Sequence, residues 1–154
     1  MTGGAFLPFM VAAVVLAHIP GINVQDYSTA AVWFRSVVLV PLGEELFFRG
    51  YLHTRLLQHD ATRWRLGRLS VSRAALVSGA LFGALHILNY LWGGIPGPIP
   101  VAAHLGFAAV YGVVAAELLD RTGGLFGPIL LHAMINGGSA LYITWLAARA
   151  ATGL

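Results

Sequence analysis

Apolar positions come in long runs broken by short polar intervals, and runs of about twenty apolar residues are the lengths that cross a bilayer as helices. Residues 5–19 form the first run. The start Met1-Thr2-Gly3-Gly4 lacks the basic region of a secretory signal, so a retained N-terminal helix is expected within residues 1–20. After a polar interval at residues 21–29, a helical pattern runs over residues 30–57, with Pro41 placed to kink it. Three more spans are expected at residues 74–92, 99–119 and 125–148, separated by the turns Gly93-Gly94-Ile95-Pro96-Gly97-Pro98 and Arg121-Thr122-Gly123-Gly124. The pattern predicts an all-α fold, a polytopic transmembrane bundle of about five helices forming one membrane-embedded domain over residues 1–154.

Composition agrees. The chain is 58% hydrophobic and only 10% charged, against roughly a quarter charged in soluble domains. Every one of the nine basic residues is Arg, and this bias, with 19 glycines, suggests a GC-rich bacterial origin. The only long hydrophilic stretch, residues 59–73, carries Arg63, Arg65, Arg68 and Arg73, with Arg55 just before it. It reads as a solvated loop, and by the positive-inside rule it is cytoplasmic, with anionic lipid headgroups as a lesser use for its charge. The localisation expected is therefore the bacterial inner membrane, multi-pass. No basic and aromatic interleaving suggests nucleic acid as a partner. The absence of cysteine excludes disulfides, thiol nucleophiles and sulfur ligands.

Candidate chemistry begins where charge enters apolar sequence. Val40-Pro41-Leu42-Gly43-Glu44-Glu45-Leu46-Phe47-Phe48-Arg49 places two carboxylates and a guanidinium in a predicted span. Each such charge costs at least about 2.5–3.5 kcal/mol near the bilayer centre, so it needs a partner or a cavity. Glu45 and Arg49 are four apart on a helix and can pair, whereas Glu44 lies about 100° round the axis and can face elsewhere. A purely structural ion cluster would explain the same three residues. However, His86 stands in the third span, and His132 and Asn136 share a face of the fifth. At about 1.5 Å per residue from the cytoplasmic ends, Glu44 lies about 20 Å deep, His86 about 18 Å, His132 about 11 Å and Asn136 about 17 Å. Polar groups at similar depth are most economically satisfied in one interior cavity.

With Phe82, these residues form three ordered motifs: Glu44-Glu45 with Arg49, Phe82 with His86, and His132 with Asn136. In this order the sequence resembles the CAAX prenyl endopeptidase and bacteriocin-processing family of intramembrane glutamic proteases, over a core of about residues 37–140. The resemblance implies Glu44 as the base that activates water, His86 as a holder of that water, and His132 and Asn136 as the oxyanion-stabilising pair. It implies Glu45 and Arg49 as a supporting ion pair and Phe82 as a packing residue. Neither cofactor nor metal is expected. The expected partners are membrane lipid and a membrane-associated peptide or protein substrate, with oligomer formation possible.

Three other readings compete. A zinc hydrolase could use Glu44, His86 and His132, but no HExxH is present and Arg49 would repel the cation. A serine protease is disfavoured because Ser78 and Ser139 lie in no GxSxG context. A non-catalytic immunity or scaffold protein would keep the cluster only to hold its helices together. His104 and Tyr111 read as structural more than as support for the site, Glu117 as a snorkelling carboxylate, and His18, His53 and His59 as interfacial.

Overall fold

A computed structural model describes residues 30–67, 69–93 and 97–152 of the chain. The run expected at residues 5–19, His18 with it, lies outside the described residues. The described structure is mostly helical, and it falls into two compact units: one joins the segment ending at Phe47 to the stretch from Ile129 onward, and the other is Phe48–Pro128.

The described residues open in helix with α1 (Ala30–Phe34), which widens into π-type turns at Arg35–Leu39, returns to α geometry in α2 (Val40–Glu45), widens again at Leu46–His53 and ends as α3 (Thr54–His59). The proline explains the first widening. In a π turn the carbonyl of residue i accepts from the N–H of residue i+5, and Val40 N–H does donate to the Arg35 carbonyl. Ser36 O would then look to residue 41, where proline has no N–H to give. The widened ladder thus carries the chain into Pro41 and leaves one carbonyl to be satisfied from outside.

The Arg-rich stretch departs from the expectation of a plain loop. Arg63–Leu66 (β1) and Leu69–Ser72 (β2) pair antiparallel, with Arg63 opposite Ser72 and Trp64 opposite Val71. Gly67, at φ 62°, takes the left-handed conformation that the tight connection requires. Ser72 then caps α4 (Arg73–Leu85), its side-chain oxygen accepting from Ala75 N–H at 3.1 Å. At His86 the helix tightens into a 3-10 turn, His86–Asn89, before the single turn of α5 (Tyr90–Gly93).

α6 (Pro98–Thr122) is 25 residues long, and among the described residues it is the helix that is long and apolar enough to cross a membrane. α7 (Phe126–Thr152) has 27 residues. α6 stops where Gly123 adopts φ 69° and returns its N–H to the Leu119 carbonyl at 2.8 Å.

The close packing in the second unit is between α4 and α6. A methyl group added at Gly83 would stand 2.6 Å from the Leu105 carbonyl oxygen, one at Gly79 2.7 Å from the backbone nitrogen of Val113, and one at Gly112 2.7 Å from the Cα of Gly79. Glycines at 79 and 83, four apart on one face, thus let two backbones touch, the way small residues join helices where no hydrophobic drive exists between them. That seam sets the height of Phe82 and His86 against α6.

Candidate active site

Glu44 and Glu45 end α2, and His132 and Asn136 lie one turn apart on α7, all in the first unit. The structure sets the two glutamates against the His132 imidazole, with Asn136 one turn further along α7. Glu45 is fully buried and His132 nearly so, at 5% exposure, and the His132 Nδ1 lies 2.9 Å from Glu45 Oε1. On the opposite edge of the ring, His132 Nε2 is 3.8 Å from Glu44 Oε2, whose side chain remains one-third exposed. One glutamate therefore grips the imidazole out of reach of solvent, and the other meets it with a carboxylate still open on one side. Sequence spacing predicted unequal roles for the two glutamates, but not that Glu45 would hold His132.

Asn136 completes the account of the widened turn. Its Nδ2 donates to the Ser36 carbonyl at 2.9 Å, the acceptor that Pro41 cannot serve. Ser36 is buried, so without Asn136 this carbonyl would have no water to turn to. One proton of the side-chain amide is used in this way; a primary amide carries two.

The second unit holds the other motif residues. His86 Nδ1 lies 2.7 Å from the Phe82 carbonyl oxygen, which can only accept, so Nδ1 carries a proton and donates it there. The same ring stands 4.6 Å, centroid to centroid, from Phe82 and meets His104 edge-on at 5.3 Å. His104 in turn has its Nδ1 2.7 Å from the Tyr90 hydroxyl. Arg49 is fully buried, its guanidinium stacked 4.3 Å over Phe82 and 5.1 Å over Tyr111. Phe82 is thus more than filler, since its ring face carries a cation and its carbonyl fixes an imidazole tautomer.

A further polar cluster in this unit was not anticipated. Asp120 on α6 binds His53 Nε2 at 2.8 Å through one oxygen and Arg63 Nη1 at 3.1 Å through the other. Glu117 accepts from Arg63 Nη2 and from the backbone N–H of Ser72, the latter at 2.8 Å. Two expectations are corrected here. Glu117 is held inside rather than snorkelling, and His53 is fully buried rather than interfacial, because both are needed to satisfy a hairpin folded against α6. The signal was available in part, as Glu117 and Asp120 are three apart on one face. The two carboxylates raise the Arg63 pKa above its ordinary value, Glu117 contributing most through its hydrogen bond.

Among the described residues no group of three or more His, Cys, Asp or Glu is gathered so as to hold a metal ion. The site so described is that of a helical protein with buried carboxylates and imidazoles. Comparison with known families sharpens this: residues 26–138 match the family described as type II CAAX prenyl endopeptidase Rce1-like. The match covers most of the chain, and the protein belongs to that family of membrane-embedded proteases. No curated protein and no solved structure matches it.

Proposed function

We propose that the protein is an intramembrane glutamic endopeptidase, multi-pass in a bacterial inner membrane, that hydrolyses a peptide bond of a membrane-associated peptide or protein. The observation that carries this reading is the pair of glutamates on opposite edges of His132, one sealed and one open, in a chain of a protease family.

In this mechanism Glu44 takes a proton from water as the water oxygen attacks the carbonyl carbon, and later returns it to the departing amine. A carboxylate in an apolar cavity is suited to both transfers, because desolvation strengthens it as a base. His86 is the holder of that water by the role its motif implies. His132 Nε2 and the second amide proton of Asn136 donate to the tetrahedral oxyanion, each worth about 3–4 kcal/mol in a site of low dielectric. The chemistry needs no acyl-enzyme and no metal. Arg49 and Phe82 hold the surrounding framework, and residues 59–73 lie on the cytoplasmic side under the positive-inside rule.

The test uses purified protein in phospholipid vesicles with two fluorogenic peptides, one ending in a prenylated cysteine and tripeptide and one an unmodified leader-type sequence. Glu44→Ala and His86→Ala should each lower turnover at least about 100-fold while the melting temperature holds. Undiminished turnover in Glu44→Ala would overturn the mechanism.

A further inference from the structure

The two intramembrane imidazoles are both gripped at Nδ1, but by acceptors of different kind. His86 Nδ1 faces a backbone carbonyl, which is neutral, whereas His132 Nδ1 faces the Oε1 of a fully buried carboxylate. A neutral imidazole donating from Nδ1 has only a lone pair at Nε2. That suits an acceptor of a water proton and is useless for stabilising an oxyanion. The same single proton on His132 would point a lone pair at the developing negative charge. For His132 Nε2 to donate, the Glu45 and His132 pair must hold two protons, one between Oε1 and Nδ1 and one on Nε2.

We infer that Glu45 is the positioning residue that keeps His132 in this donor form, so that the second glutamate of the motif sets what the imidazole can do as well as where it points. This rests on the proposed function only for its purpose; the proton count is a property of the resting protein. Geometry supports it on both edges of the ring. Glu45 places a carboxylate oxygen 2.9 Å from Nδ1, in a place water does not reach, and Glu44 Oε2 lies 3.8 Å from Nε2. A carbonyl at the Glu45 position could orient the ring equally well, as Phe82 does for His86, but would leave the second proton uncompensated. The other ionisable groups on the neighbouring turns are Arg49, one turn beyond Glu45, and Arg35 in the widened turns before α2; both are cations, and neither could hold the second proton in place of a carboxylate.

The direct test is nitrogen NMR on protein labelled with 15N-histidine in lipid vesicles, with His132 assigned by its absence in His132→Gln. In the wild type at neutral pH, His132 Nε2 should be protonated, either as imidazolium or as the Nε2–H tautomer with the shared proton on Glu45. In Glu45→Gln, whose amide oxygen can still accept from Nδ1, Nε2 should become bare, while Glu44→Gln should leave it protonated. A bare Nε2 in the wild type would overturn the inference whatever Glu45→Gln does. So would an Nε2 that stays protonated in Glu45→Gln.

Turnover supplies the second readout. Glu45→Gln should lower kcat by about 10²–10³, the worth of one oxyanion donor, with KM little changed and the optimum moved to lower pH. In a His132→Gln background, whose amide donates without titrating, the Glu45→Gln effect should shrink to a few-fold; an undiminished effect would mean that Glu45 acts by another route. The two proposals fail separately. Turnover that survives Glu44→Ala sinks the protease mechanism and leaves the His132 proton where the spectrum finds it, whereas a bare Nε2 in a Glu44-dependent enzyme sinks this inference alone.

Discussion

Replacing Asn136 by leucine separates two tasks that the residue combines. The substitution keeps the branch at Cγ and, in a larger side chain of higher helix propensity, removes the donor to the Ser36 carbonyl, at 2.9 Å in the native protein. Ser36 is 7% exposed, and its two helical donors are spent or missing, since Val40 N–H goes to the Arg35 carbonyl and residue 41 is proline. A buried carbonyl left in this state costs about 1–3 kcal/mol. Pro41→Ala supplies an N–H at the position five residues on, at the cost of a small cavity where the buried ring was. The double variant should therefore be more stable than the sum of the two single changes predicts, with a coupling of about 1 kcal/mol or more. Guanidinium unfolding in mild detergent micelles, followed by circular dichroism, measures all four corners of the cycle. Additive corners, within about 0.5 kcal/mol, would show that Asn136 and Pro41 do not meet at Ser36. If Asn136 is also an oxyanion donor, the restored stability comes without restored turnover, which should stay about 10²–10³ below wild type.

Other predictions follow from contacts of the second unit. Gly83→Leu must push a side chain into the Leu105 carbonyl and should cost about 3 kcal/mol or more, seen as a collapsed melting temperature, whereas Gly124→Ala, with open space around it, should cost under about 1 kcal/mol. Arg49→Lys keeps the charge but loses the planar stack on Phe82 and Tyr111, and should lower stability by about 1–2 kcal/mol in the same assay. Asp60, partly exposed at the surface, has its pKa lowered from the ordinary value, first by its hydrogen bonds with Thr62 and then by Arg73. A lowered carboxylate pKa means that its contribution is present above about pH 4 and lost as pH falls through the folded value. Asp60→Asn should therefore lower stability slightly at neutral pH and converge on the wild type below about pH 4, so that the acid limb of the profile flattens; an unaltered acid limb would count against the pairing.

Much of this was readable from residue type and spacing, and the failures share a cause. The apolar runs marked α4, α6 and α7 because burial and membrane length impose a one-dimensional pattern. The motifs marked Glu44, Glu45, His132 and Asn136 because charged groups in apolar sequence are costly enough to be informative. Which glutamate meets which edge of His132 depended on helix packing, which no spacing encodes. The hairpin at 63–72 was missed for a similar reason: an Arg-rich segment with Gly67 looks like solvated loop until Glu117 and Asp120 on a distant helix are seen to take up Arg63. Ser36 gave no signal in its side chain, because its backbone does the bonding.

The bare contact of α4 with α6 also limits how this part of the molecule can move. Where Gly79 and Gly83 lie on the backbone of α6, the two helices leave little room to absorb a sliding step. A shift of one residue would carry His86 about 1.5 Å along and 100° around its axis, away from its partners. The pair therefore travels as a single plank, and any breathing that admits a substrate must bend the chain at places where side chains, and not main chains, form the hinge.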